Sequence, residues 1–140
     1  KRRHAFASAT IVRLDKATDE LSFVNAGHPP MVYLTDGGAT LLDAVHRPWL
    51  GVEPVSSRGP TVVRFAPGDA LVLYTDGLVE ERDEPIDTSL ERLVRMLDPD
   101  EPADELVERL LDHRSEHRTA ATVDDDIALI AIRRTGADRS

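Results

Sequence analysis

The chain has 140 residues, 41% of them hydrophobic, no cysteine, and a net charge of -9. That suffices for a core but excludes disulfides, cysteine-bound zinc and every cysteine-nucleophile mechanism. It also lacks the basic footprint that nucleic-acid binding requires. No apolar run approaches membrane-spanning length and no signal peptide is present, so a cytoplasmic protein with no membrane partner is expected.

The first half reads as strands and turns. Residues 6–14 are apolar and β-branched, 15–20 form a polar turn, and 21–24 alternate back, giving a hairpin. The segment Asn25-Ala26-Gly27-His28-Pro29-Pro30 is a sharp break. A second hairpin runs from Met31–Leu34 through Asp36-Gly37-Gly38 to Thr40–Leu42. Residues 45–60 read as irregular, with Trp49 as a core or loop anchor, and 61–65 alternate. Residues 70–75 are almost continuously apolar, which predicts a buried central strand.

Helices follow. Thr88 and Glu91 have capping-box spacing, and Leu90, Leu93, Val94 and Leu97 share a face. Asp98-Pro99 ends this helix. Pro102 opens the next, with a stripe of Ala103, Leu106, Val107, Leu110 and Leu111 and an i,i+4 pair from Glu105 to Arg109. A polar stretch over 113–123 leads to a final buried strand at 127–132 and a frayed, disordered tail at 135–140. Strands, then two helices, then a strand predict an α+β fold of mostly antiparallel sheets, with the helices on an outer face.

Two acidic spots carry the candidate chemistry. Asp76, followed by Gly77, ends the 70–75 strand, and Asp124-Asp125-Asp126 precede the 127–132 strand. If these strands are antiparallel neighbours, the carboxylates converge at one sheet edge. Hard divalent cations favour such oxygen clusters, and a cation offsets the repulsion. Ordinary turn residues at strand ends are the competing reading. A cation would also let so acidic a chain approach a phosphate ester. His113-Arg114-Ser115-Glu116-His117 matches an H-x-x-E-H zinc pattern, but no third ligand follows it, and a solvated helix end is expected. His28 reads either as a turn histidine satisfied locally or as a loop residue facing a site.

Five strings occur in order: FASATIVRLD, LSFVNAGHPPMVYL, RPWLGV, PGDALVLYTDGLVEERD and DDDIALIAI. Together they resemble the SpoIIE/RsbU branch of the PPM (2C-type) protein phosphatases over roughly residues 5–134, and 1–134 is expected to be part of one such domain. The resemblance implies a sandwich of two mostly antiparallel β-sheets flanked by helices. It implies a two-metal Mn²⁺ or Mg²⁺ site that activates water for attack on phosphoserine or phosphothreonine. Asp76 and Asp125 match family metal ligands, and Gly77, Asp126 and His28 match positions near the site. The substrate implied is a phosphorylated anti-sigma-factor antagonist in a partner-switching pathway, with a homodimer or an upstream sensor domain in the parent protein. Two departures stand out. Ala128 replaces the family's Thr or Ser. The family's Gly-Asp motif, followed by a Ser-Gly-His-Gly-type helix start, does not precede Phe6, so the N-terminal part of the domain and of its metal site is expected to be missing. The alternative function is a truncated or degenerate phosphatase-like module that binds a protein without turnover.

Overall fold

A computed structural model describes residues 5–42, 48–52, 59–117 and 125–136. In chain order the elements are β1 (Ala9–Asp15), β2 (Glu20–Ala26), β3 (Met31–Thr35), β4 (Gly38–Leu42), β5 (Thr61–Arg64) and β6 (Ala70–Tyr74). A short 3-10 turn (Asp76–Leu78), α1 (Ile86–Met96), α2 (Ala103–Glu116) and β7 (Leu129–Arg133) follow. Of the expected polar stretch over 113–123, residues 118–123 lie outside the described residues, as do Asp124, the end of the tail and most of the irregular 45–60 stretch. The α+β expectation holds, and every strand pairing among the described residues is antiparallel.

The chain divides into two compact units. One comprises residues 1–30 and 43–66; the other comprises 31–42 and 67–140. In the first, strands are ordered β1-β2-β5. The 15–20 turn is built by Asp15, whose Oδ1 accepts from the amide of Ala17 at 2.9 Å, and by Asp19 at φ 57. Leu21 and Phe23 alternate onto the buried face of β2. The Asn25–Pro30 break folds on itself. Asn25 Oδ1 accepts from the His28 amide at 2.9 Å, and Asn25 Nδ2 donates to the His28 carbonyl at 2.8 Å. Gly27 is required here twice over: its φ is +66, and a Cβ would lie 2.5 Å from the Trp49 ring. Trp49 is thus a loop anchor, packed on Gly27, and not a core residue: half of it is exposed.

The second unit holds a four-stranded sheet of order β4-β3-β6-β7. β6 is interior, as its continuous apolar run predicts. The register pairs Val32 with Val72 and Leu34 with Ala70. These residues and Tyr74 face one way and pack with Leu90, Leu93 and Leu97 around α1 and with Leu106 and Leu110 of α2. Each such fully buried leucine contributes about 1.5–3 kcal/mol.

Four expectations need correction. First, α1 starts at Ile86 behind Pro85, so Thr88 is already inside the first turn and no side chain caps the helix. Pro85 stands at the N-cap in place of the Thr88–Glu91 box, its carbonyl accepting from the amides of Thr88 and Ser89 at 3.0 and 3.4 Å. Glu84 instead braces this end, accepting from Ser89 Oγ at 2.7 Å and from Arg92 Nη1 at 2.9 Å. Second, Arg109 pairs with Glu101 and not with Glu105, through two bonds of 2.7 and 2.6 Å. The forked guanidinium takes both carboxylate oxygens there. Third, Leu111 is exposed, because Arg114 takes the third buried position on α2 beside Leu106 and Leu110. Fourth, β7 is an edge strand whose Ile130 and Ile132 are exposed on the face away from the helices, so the run is not fully buried.

The Arg109 bond holds the Glu101 carboxyl below the usual glutamate range. Its stabilisation is therefore present above the unfolded value near 4.5 and is lost as pH falls through the folded one. Glu101→Gln should narrow the stability difference between about pH 7 and about pH 4, read by denaturant unfolding. An unchanged difference would remove this pair from the acid response. Among the described residues, no helix is long and apolar enough to cross a membrane.

Candidate metal centre

The site lies within the second unit, where β6 ends beside the start of β7. Their antiparallel register pairs Tyr74 with Leu129, which brings Asp76 and Asp125 together from 49 positions apart in sequence. The condition stated from sequence is met.

Thr75 clasps the junction. Its amide donates to the Ala128 carbonyl at 3.0 Å, and its Oγ1 accepts from the Ala128 amide at 2.9 Å. The same hydroxyl donates to the Asp126 carbonyl at 3.1 Å. Ala128 therefore contributes through its backbone, which explains why an alanine serves at that position. Gly77 completes the fit: a Cβ there would lie 2.6 Å from the Asp126 carbonyl oxygen and 3.1 Å from that of Asp125. Only a residue without a side chain lets the 125–126 backbone come this close.

After Asp76 the chain turns helically. The amides of Val79 and Glu80 donate to the Asp76 carbonyl at 2.9 and 2.8 Å. This turn sets Glu80 one turn beyond Asp76. Carboxylate oxygens of Asp76, Glu80 and Asp125 all lie within 4.8 Å of one another, and all three residues are exposed. Three ionised carboxylates at such spacing repel. Asp76 Oδ1 also accepts from the Gly77 amide at 3.0 Å, and Asp125 Oδ1 from the Asp126 amide at 2.8 Å, which orients both. The donor set is all oxygen, carboxylate and solvent-accessible. That fits Mg²⁺ or Mn²⁺ and disfavours soft metals.

Asp76 and Asp125 thus meet, with Gly77 and Asp126 shaping the loop between them. Asp124 lies outside the described residues. His28 belongs to the other unit, where its Nδ1 is hydrogen-bonded to Ser8 Oγ at 3.1 Å. Sequence reasoning missed Glu80. The signal was its i,i+4 spacing from Asp76, hidden because 76–80 was not read as a helical turn.

The H-x-x-E-H segment is the end of α2, but it is not the wholly solvated end expected: Arg114 within it is buried, because its guanidinium bonds to Glu81 and to the Glu80 carbonyl. The His113 and His117 rings stack with centroids 4.0 Å apart, and His117 Nδ1 bonds the His113 carbonyl at 2.8 Å. Burial chiefly, then the neighbouring His117, pushes the His113 pKa down. Among the described residues no third ligand joins the pair.

Comparison with known proteins points the same way. The profile of the family described as stage II sporulation protein E (SpoIIE) matches residues 1–135. The chain is 28% identical over 132 residues to the phosphoserine phosphatase RsbP of Bacillus subtilis, covering 93% of this chain and 31% of RsbP. The chain thus spans about a third of that relative's length. The RsbU and RsbW domains of a Mycobacterium tuberculosis protein superpose with a TM-score of 0.72 at 26% identity, over 91% of this chain and 36% of that one. The manganese-presoaked phosphatase domain of SpoIIE from Bacillus subtilis superposes with a TM-score of 0.67 at 19% identity, over 93% and 57%. That last likeness is one of fold: two antiparallel sheets with helices, as in PP2C-type domains.

Proposed function

Because the chain belongs to the SpoIIE family, we propose that it forms part of a metal-dependent protein serine/threonine phosphatase domain. The observation that carries this is the convergence of Asp76, Glu80 and Asp125 within 4.8 Å at the β6–β7 junction. Asp76, Glu80 and Asp125 would hold Mn²⁺ or Mg²⁺. Bound divalent ions supply Lewis acidity and an activated water for phosphoryl hydrolysis. The chain's own residues do the rest: Thr75 locks the two acidic strand ends together, Gly77 sets their separation, and Asp126 shapes the loop through its backbone. The cations also offset the chain's charge of -9, which would otherwise repel a phosphoprotein.

The substrate is a phosphoserine- or phosphothreonine-bearing anti-sigma-factor antagonist. The kinship with RsbP and with an RsbU domain supports that choice. The reading also requires the Gly-Asp ligand that the family resemblance implies.

The test is Mn²⁺-dependent release of phosphate from a phosphoserine protein, comparing this chain with the longer parent protein. Activity in the parent and none in the 140-residue chain is expected. A folded parent that is inactive would favour the non-catalytic, protein-binding reading. Turnover that survives chelation of divalent ions would remove the metal from the mechanism.

A further inference from the structure

Arg114 is the buried cation of α2, with only 9% of its side chain exposed. It reaches back 33 residues. Nη1 donates to Glu81 Oε1 at 2.7 Å, and Nη2 donates to the Glu80 carbonyl at 2.9 Å. Arg114 also helps to line a pocket of about 530 Å³ bounded by α1, α2 and the segment after the 3-10 turn. A charge removed from water this far needs firm partners. Both partners lie on the short stretch that carries the third carboxylate of the candidate metal centre.

Glu80 is therefore pinned at both ends of its backbone. Its amide donates to the Asp76 carbonyl at 2.8 Å, and its carbonyl accepts from Arg114. The first bond ties Glu80 to the turn; the second ties it to a helix packed in the core. We propose that Arg114 is a positioning residue for the metal centre: it grips the Glu80 carbonyl and the Glu81 carboxylate together, so that the Glu80 carboxylate stays within reach of Asp76 and Asp125. Arg114 does not touch the metal or the substrate. A planar fork is needed, because one donor group takes the carboxylate and the other the carbonyl. Lysine keeps the charge but not the two fixed directions.

The inference rests on the metal-centre reading above, and the experiment separates the two. Mn²⁺ affinity is measured in the complete catalytic domain from the paramagnetic resonance of free Mn²⁺, for wild type, Asp76→Asn, Arg114→Ala and Arg114→Lys. Arg114→Ala should weaken Mn²⁺ binding by on the order of 10-fold, as loss of an outer-shell partner does, with Arg114→Lys intermediate. In turnover, half-saturating Mn²⁺ should rise while kcat at saturating Mn²⁺ stays close to wild type. A purely structural role would lower thermal stability and leave half-saturating Mn²⁺ where it was. If Asp76→Asn binds Mn²⁺ as wild type does, the metal centre itself is wrong. If Asp76→Asn loses affinity while folded Arg114→Ala keeps it, the clamp is wrong. Should Arg114→Ala fail to fold, wild-type affinity in Arg114→Lys overturns the proposal and weakened affinity supports it.

Discussion

Replacing Asp76 by asparagine in the complete catalytic domain should cut Mn²⁺-dependent phosphatase activity by on the order of 10²-fold or more while leaving the fold intact. Asp76 is exposed and outside the helix-facing core, so little packing is lost. Asparagine is nearly isosteric and keeps an oxygen to accept the Gly77 amide bond now made at 3.0 Å. What disappears is one of three negative charges drawn within 4.8 Å. Removing it even relieves repulsion in the metal-free protein, so thermal stability without metal should hold or rise slightly. Asp125→Asn should behave alike, since its carboxylate enters from the other strand. Steady-state phosphate release with circular dichroism as a fold control checks both. Full activity in either variant would contradict the assignment.

The Gly77→Ala substitution should act through the backbone, with no charge altered. The added methyl would stand 2.6 Å from the Asp126 carbonyl oxygen and 3.1 Å from that of Asp125. Neither oxygen can rotate aside as a side-chain tip could. The 125–126 segment must retreat, and with it go the Thr75 bonds to Asp126 and Ala128 at 3.1 and 2.9 Å. We expect a stability loss of about 1–3 kcal/mol from overpacking. We expect also a rise in half-saturating Mn²⁺, because Asp125 moves away from Asp76 and Glu80. Denaturant unfolding and Mn²⁺-dependent turnover read the two effects separately. Wild-type values on both would mean that the junction is looser than its geometry implies.

Much of this architecture was legible in the sequence wherever local pattern decides structure. The continuous apolar run of 70–75 named the interior strand, and the polar 15–20 turn and Asp36-Gly37-Gly38 named both hairpins. Asp76 and Asp125 were legible because strand ends that pair antiparallel must bring their flanking residues together. Where a contact is made by distant partners, sequence was silent. Arg109 had a plausible partner one turn away at Glu105, yet Glu101, outside the helix, offers it a two-pronged bond. Arg114 looked like part of a solvated helix end, yet its partners lie 33 and 34 positions earlier. Glu80 was hidden by a 3-10 turn too short to leave a periodic signature. The run at 127–132 read as buried because its apolar content was counted; what exposes Ile130 and Ile132 is the position of β7 at the sheet edge.

The most direct test of the metal centre is paramagnetic line broadening. Mn²⁺ is titrated into the isotopically labelled catalytic domain, and the order in which backbone amide signals vanish is recorded. Loss beginning at Gly77, Glu80 and Asp126, competed away by excess Mg²⁺, is the expected result. Broadening that begins elsewhere, such as around His113 and His117, or uniform loss across all acidic surface residues, would contradict a site built by Asp76, Glu80 and Asp125.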